Sequence, residues 1–131
     1  MLKLSIIFSF LLLSVLRLDV QSPRRVSPKL FYSLTQKHPK AMIFDVRPSE
    51  KYAQYRIEGA IPLPEKKQLL DVAKELPRTD TIFIYCEFES RTGRVGEILD
   101  SLGFKTVYEL KGGLISWRRN GLPLDNTQLK K

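Results

Sequence analysis

The 131-residue chain is short of the residues that staple small domains or build metal sites: it has one cysteine, Cys86, and one histidine, His38. A lone thiol closes no disulfide within the chain. In an oxidising compartment it is also open to oxidation, so a cysteine kept only for packing has little to recommend it over another small residue. His38 stands beside Pro39 at the end of an expected helix and reads as a surface residue. Repeats and low-complexity segments are missing too. Basic residues outnumber acidic ones by 22 to 14, a formal charge of +8. They are scattered, as in Lys66-Lys67, Arg118-Arg119 and Lys130-Lys131, and are not interleaved with aromatics along one element. A nucleic-acid surface needs that clustering and is not expected. The positive balance favours small anions near the surface, and a solvated basic face explains it as simply.

Long apolar runs are absent with one exception. Leu4 to Leu16 carries no charge, follows Lys3 and is closed by Arg17 and Asp19. At about 1.5 Å per residue it spans about 20 Å, short of the ~30 Å hydrocarbon core. Residues 1–22 therefore read as a secretory signal peptide, and the protein is expected to be exported, periplasmic or secreted. Pro23 directly follows the small residue Ser22, which hinders cleavage there. The competing expectation is an uncleaved anchor that associates with a membrane through residues 4–16. No cysteine lies near the segment to take a lipid, and Arg24-Arg25 follows the apolar run, so it is not a twin-arginine signal. Residues 23–131 are enough for one compact domain with one modest core.

Within that domain the pattern alternates from helix to strand, beginning and ending on a helix. Ser27-Pro28 reads as an N-cap with proline in the first turn, followed by an apolar face at Leu30, Phe31 and Leu34. Ala41 to Val46, Ala60 to Leu63, Thr81 to Tyr85 and Thr106 to Leu110 read as strands. Helices are expected around Tyr52, over Leu69 to Leu76, from about Thr92 to Leu102, and around Trp117, which is expected to fill the core. Asn126 to Lys131 reads as a frayed tail. Alternating strands and helices imply an α/β fold with a mostly parallel central sheet and helices on both faces. Gly93 and Gly96 are costly in a helix, and close approach of that helix to the sheet or of a ligand to the loop would account for them.

Cys86 then falls where an apolar strand delivers a side chain to the carboxyl end of the sheet, the usual place for a ligand site in open α/β folds. An ordinary thiol is only a few per cent thiolate at pH 7, and the thiolate is the reactive form. N–H groups of residues 87 to 92, the N-terminus of the following helix and the Arg91 guanidinium would together favour the anion.

The motifs around it fall in a familiar order: Asp45-Val46-Arg47, Lys51-Tyr52, Ile57-Glu58-Gly59-Ala60-Ile61, Pro64, Cys86 with Arg91, Leu102-Gly103-Phe104, and Leu110-Lys111-Gly112-Gly113 with Trp117. In order and spacing they resemble a single-domain rhodanese over roughly residues 27 to 124. The resemblance implies the rhodanese-like three-layer fold and a sulfurtransferase needing no metal or organic cofactor. It implies Cys86 as the catalytic nucleophile, taking a sulfane sulfur from a small sulfur-containing anion such as thiosulfate and passing it to a thiol or cyanide acceptor. Glu87, Phe88, Glu89, Ser90, Arg91 and Thr92 form the implied substrate loop. Four residues separate Cys86 from Arg91, whereas related phosphatases carry five, and the shorter loop favours sulfur transfer. Asp45 and Arg47 read as a buried pair tying the strand end to neighbouring loops. Phe88 reads either as an apolar rim for an acceptor or as a lid on the cysteine.

Several positions depart from the family pattern. Glu89 stands where active members commonly carry a glycine that would tolerate a positive φ, and Glu87 adds a second carboxylate. Two such charges oppose a nearby thiolate and repel an anionic donor by roughly 1 kcal/mol each at 4 Å in water. Tyr55-Arg56 replaces the usual Gly-His. These changes raise the alternative of a catalytically weak or inactive module that binds a partner or senses oxidants through Cys86.

Overall fold

A computed structural model describes residues 23–128, so residues 1–22, where the signal peptide is expected, and the last three residues lie outside the described part. Ten elements follow one another: β1 (Arg24–Val26), α1 (Pro28–Lys37), β2 (Met42–Asp45), α2 (Ser49–Gln54), β3 (Ala60–Pro62), α3 (Lys66–Lys74), β4 (Thr81–Tyr85), α4 (Thr92–Ser101), β5 (Thr106–Leu110) and α5 (Gly113–Arg119). The strands form one sheet in the order β1-β5-β4-β2-β3, and every pairing in it is parallel. β4 is central, with Phe83 opposite Ile43 on one side and Tyr108 on the other.

Period-2 alternation in β4 builds two cores at once. Ile82, Ile84 and Cys86 face one side, where they pack with Leu69 and Ala73 of α3 and Leu99 of α4. Phe83 and Tyr85 face the other, against Phe31 of α1 and Leu114 and Trp117 of α5. Trp117 is fully buried, and its indole N–H donates to Pro123 O at 3.0 Å. α1 starts as its sequence dictates: Ser27 Oγ accepts from Leu30 N at 3.3 Å, and Pro28 occupies the first turn.

The chain runs outward from β2 to β3 and then crosses back to β4. The helix after β2 packs on one face and the helix after β4 on the other. Such a reversal opens a crevice at the carboxyl ends of the two strands. Asp45 and Cys86 stand at that crevice.

Four local readings differ from the pattern. β1 was not expected; Arg24, Arg25 and Val26 carry no strand signature and are ordered by pairing with Tyr108, Glu109 and Leu110. α3 stops at Lys74, because a residue before proline disfavours helical geometry, and Glu75 and Leu76 close with tighter bonds to Val72 and Ala73. Gly96 makes room for Pro23 and not for the sheet, since a Cβ there would lie 2.5 Å from Pro23 Cγ, while Gly93 faces open space. Residues 125 to 127 are tied down: Arg56 exchanges backbone bonds with Asp125, pairs with its carboxylate at 3.1 Å and donates to Thr127 O at 2.9 Å.

Candidate active site

Cys86 is the residue after β4 and is 2% exposed. The loop that follows is held by its carbonyls. Leu114 N donates to Cys86 O at 2.8 Å, Ile115 N to Glu87 O at 3.1 Å, and Thr92 Oγ1 to Glu89 O at 3.1 Å. A trans peptide plane sets N–H opposite C=O. With those three carbonyls bonded to α4 and α5, the N–H groups of Glu87, Phe88 and Ser90 are turned the other way. Among the described residues, no backbone N–H from Glu87 to Arg91 donates to a protein group. Donors aimed away from their own scaffold and left free are what an anion needs.

Beneath the loop lies a buried polar hub. Asp45 is fully buried and accepts from Arg47 N and Nε at 3.0 Å, from Arg47 Nη2 at 2.7 Å and from Tyr85 Oη at 2.6 Å. Arg47, 1% exposed, also donates from Nη2 to Tyr55 O at 2.6 Å and from Nη1 to Glu87 Oε2 at 3.1 Å. Burial by itself would lower the Arg47 pKa; the bonds and charge of Asp45, with a smaller share from Glu87, outweigh it and hold the group above its usual value. Burial and the Asp45 carboxylate both push the Tyr85 phenol up, so it stays a neutral donor that in turn accepts from Ile57 N at 3.1 Å. The hub fixes the end of β2, the segment before β3 and the first loop residue in one unit. Burying a charge is tolerable only with such full pairing.

The two loop glutamates have partners. Glu87 sits on Arg47. Glu89 Oε1 accepts from Gly112 N, and its other oxygen lies 3.9 Å from Arg25. Glu89 does not take a left-handed backbone, because among the described residues every positive φ belongs to a glycine. A third carboxylate, which no motif marks, joins them: Glu109 of β5, 2% exposed, meets Thr92 Oγ1 and lies 3.6 Å from Arg25. Thr92 is itself fully buried and joins the first turn of α4 to β5 and to the loop. The strand alternation of Thr106 to Leu110 placed Glu109 on a buried face, which was the available signal.

The remaining loop residues face outward. Phe88 is 62% exposed, too open for a lid packed on Cys86. Ser90 and Arg91 are exposed, and Arg91 reaches no closer than 3.5 Å to Val46 O. His38 is exposed and lies on α1's C-terminal cap, away from the loop. Arg56, at the altered Tyr55-Arg56 position, is buried and anchors the C-terminal segment.

This arrangement matches known proteins in sequence and in shape. A sulfurtransferase of Allochromatium vinosum is 32% identical over 84 residues, covering 63% of this chain and 77% of its own length. The thiosulfate sulfurtransferase PspE of Escherichia coli is 38% identical over 71 residues, covering 53% of this chain and 67% of its own. The solution structure of the rhodanese-like domain of the Anabaena Alr3790 protein superposes with a TM-score of 0.69 at 29% identity, covering 82% of this chain and 81% of that one. The family model for the rhodanese-like domain spans residues 27–120. With that model matched across most of its length and a parallel sheet presenting one cysteine at the crevice, the chain belongs to the rhodanese-like domain family.

Proposed function

We propose that the protein is an exported sulfurtransferase in which Cys86 carries the sulfur. The Cys86 thiolate attacks the outer sulfur of a thiosulfate-like donor; the donor S–S bond breaks, and sulfite leaves with the bonding pair. Cys86 then holds a persulfide. A thiol or cyanide acceptor attacks its outer sulfur, and Cys86 leaves as thiolate. The free N–H groups of Glu87, Phe88 and Ser90 would stabilise the thiolate, the persulfide and the donor's oxyanion in turn. Arg91 supplies charge at the rim of the loop, where its exposure leaves it free to meet an arriving anion. The outward bonding of three loop carbonyls is the observation that carries this reading. Export rests on the apolar leader alone, and an intact leader would instead leave the domain at a membrane.

The test is direct. Incubation of the protein with thiosulfate is expected to add one sulfur to Cys86, read by intact mass, and to add none in Cys86→Ser. No sulfur on the wild-type protein would sink the proposal. A second reading, a weak or inactive module, is favoured by the acidic charge of the site: Asp45 and Glu87 share the single charge of Arg47. Glu89, whose one ion pair among the described residues is with a half-exposed arginine at 3.9 Å, is only weakly neutralised.

Glu89→Gly separates the two effects of that side chain. Loss of the bond to Gly112 N is expected to lower stability by about 1 kcal/mol. Removing the charge is expected to raise kcat/KM for thiosulfate about fivefold, the equivalent of roughly 1 kcal/mol. Steady-state rates and denaturant midpoints report the two changes independently. A slower variant would refute charge hindrance by Glu89.

A further inference from the structure

Between the start of α3 and the first turns of α4, at the same edge of the sheet as Cys86, lies a cleft of about 400 Å³. Its floor is apolar. Val46, Leu63, Leu69 and Ile98 line it, and the first three belong to the packed cluster that also holds Cys86. Its rim is cationic, with Lys66, Arg91 and Arg94 facing one carboxylate, Glu65. All three cations are exposed, and among the described residues none forms an ion pair. Glu65 is the N-cap of α3, held there in a capping box with Gln68, whose side-chain oxygen accepts from Glu65 N at 3.2 Å.

Size argues against a small inorganic anion as the only occupant. At the ~30 Å³ that a water takes up in the liquid, the cleft holds on the order of a dozen non-hydrogen atoms, while thiosulfate brings about five. An uncharged apolar occupant would leave the cations unmatched. Floor and rim together fit a molecule with an apolar body and a negative group.

We propose that this cleft binds an organic anion with an apolar body, and that the acceptor is an aliphatic or aromatic thiol carrying an acidic group. The assignment rests on the sulfur-transfer reading only for the identity of the reacting thiol. The acidic group meets Lys66, Arg91 and Arg94, and the body covers Leu63, Leu69 and Ile98. The acceptor thiolate attacks the outer sulfur of the Cys86 persulfide. That S–S bond breaks, Cys86 retains the electron pair as thiolate, and the acceptor departs as an organic persulfide.

Binding is measured first without sulfur chemistry, by calorimetry on the full chain carrying Cys86→Ser. The probes are naphthalene-2-sulfonate, methanesulfonate and the neutral 2-naphthalenemethanol. Naphthalene-2-sulfonate is expected to bind at least about tenfold more tightly than either of the others. The Lys66→Ala/Arg94→Ala double variant alters only exposed side chains and is expected to bind it about tenfold more weakly, the difference shrinking as salt is added. Equal affinity for the two sulfonates, or unchanged affinity in the double variant, overturns the cleft. Persulfide-loaded wild-type protein is then given 6-mercaptohexanoate or 2-mercaptoethanol, and the mercapto acid is expected to show a KM about tenfold lower. Equal KM values overturn the acceptor assignment. If the sulfonate binds as expected but thiosulfate puts no sulfur on Cys86, the cleft stands and the sulfur-transfer reading falls.

Discussion

Gly113→Ala is expected to destabilise the protein by about 3 kcal/mol or more and to abolish sulfur transfer. Gly113 has φ +63°, a left-handed conformation that costs a residue with a Cβ roughly 1–2 kcal/mol. Space makes the matter worse. A Cβ at this position would overlap the Phe88 carbonyl and lie 2.5 Å from Glu87 O, and both are backbone atoms that no rotamer change can clear. Relief requires the loop to move away from α5. That movement breaks the bonds from Leu114 N and Ile115 N to Cys86 O and Glu87 O, which fix the orientation of the loop's peptide planes. Gly112→Ala is the internal comparison. It shares the left-handed φ, at +75°, but its Cβ would meet only the Ser116 side chain, at 2.7 Å. Gly112→Ala is expected to cost about 1–2 kcal/mol and to retain measurable turnover. Denaturant unfolding and thiosulfate turnover of both variants supply the comparison; equal losses in the two would show that the collision with the loop is not what matters.

How far the sequence could carry these conclusions depended on whether a feature was local. β4 and α4 have strong periodicity, and a cysteine between an apolar strand and a helix could be placed at the sheet's carboxyl end before any coordinates. The parallel sheet followed from alternation, and Trp117 and the Asp45–Arg47 pair lie where the reading of the chain put them. What could not be read depends on partners distant in the chain. β1 is a strand because β5 offers it an edge, not because Arg24-Arg25-Val26 favours one. Alternation puts Glu109 on a buried face, but its partner is unknown until α4 brings Thr92 over it. Arg56 looks like a surface charge until Asp125 and Thr127 fold back onto it. The side chains of Glu87 and Glu89 follow the same rule. Sequence placed two charges in the loop, while their orientation was decided by Arg47 on another strand end and by a glycine amide 23 residues away.

Arg47→Ala is expected to cost about 3–5 kcal/mol, the usual consequence of breaking a buried ion pair by removing one partner. The fully buried Asp45 would keep its bond from Tyr85 but lose its counter-charge, and Tyr55 O and Glu87 would each lose a donor. Lysine cannot substitute. The guanidinium serves Asp45 from Nε and Nη2, Tyr55 O from Nη2 and Glu87 from Nη1 at once, and a single ammonium on a flexible stem lacks that fork. The pair itself is not expected to contribute that whole amount, since two charges also lose hydration on burial. Asp45→Asn/Arg47→Met removes both charges and keeps most of the volume, so it is expected to recover at least about 1 kcal/mol relative to Arg47→Ala. Turnover should not recover with stability. Without Arg47, Glu87 is released beside the sulfur, and the first loop residue loses its tie to β2. Unfolding free energies of the single and double variants, set beside their sulfur-transfer rates, separate the two roles. A single variant that loses less than about 1 kcal/mol would mean that Arg47 is not the keystone of the hub. A double variant with restored rates would mean that the hub does not position the loop.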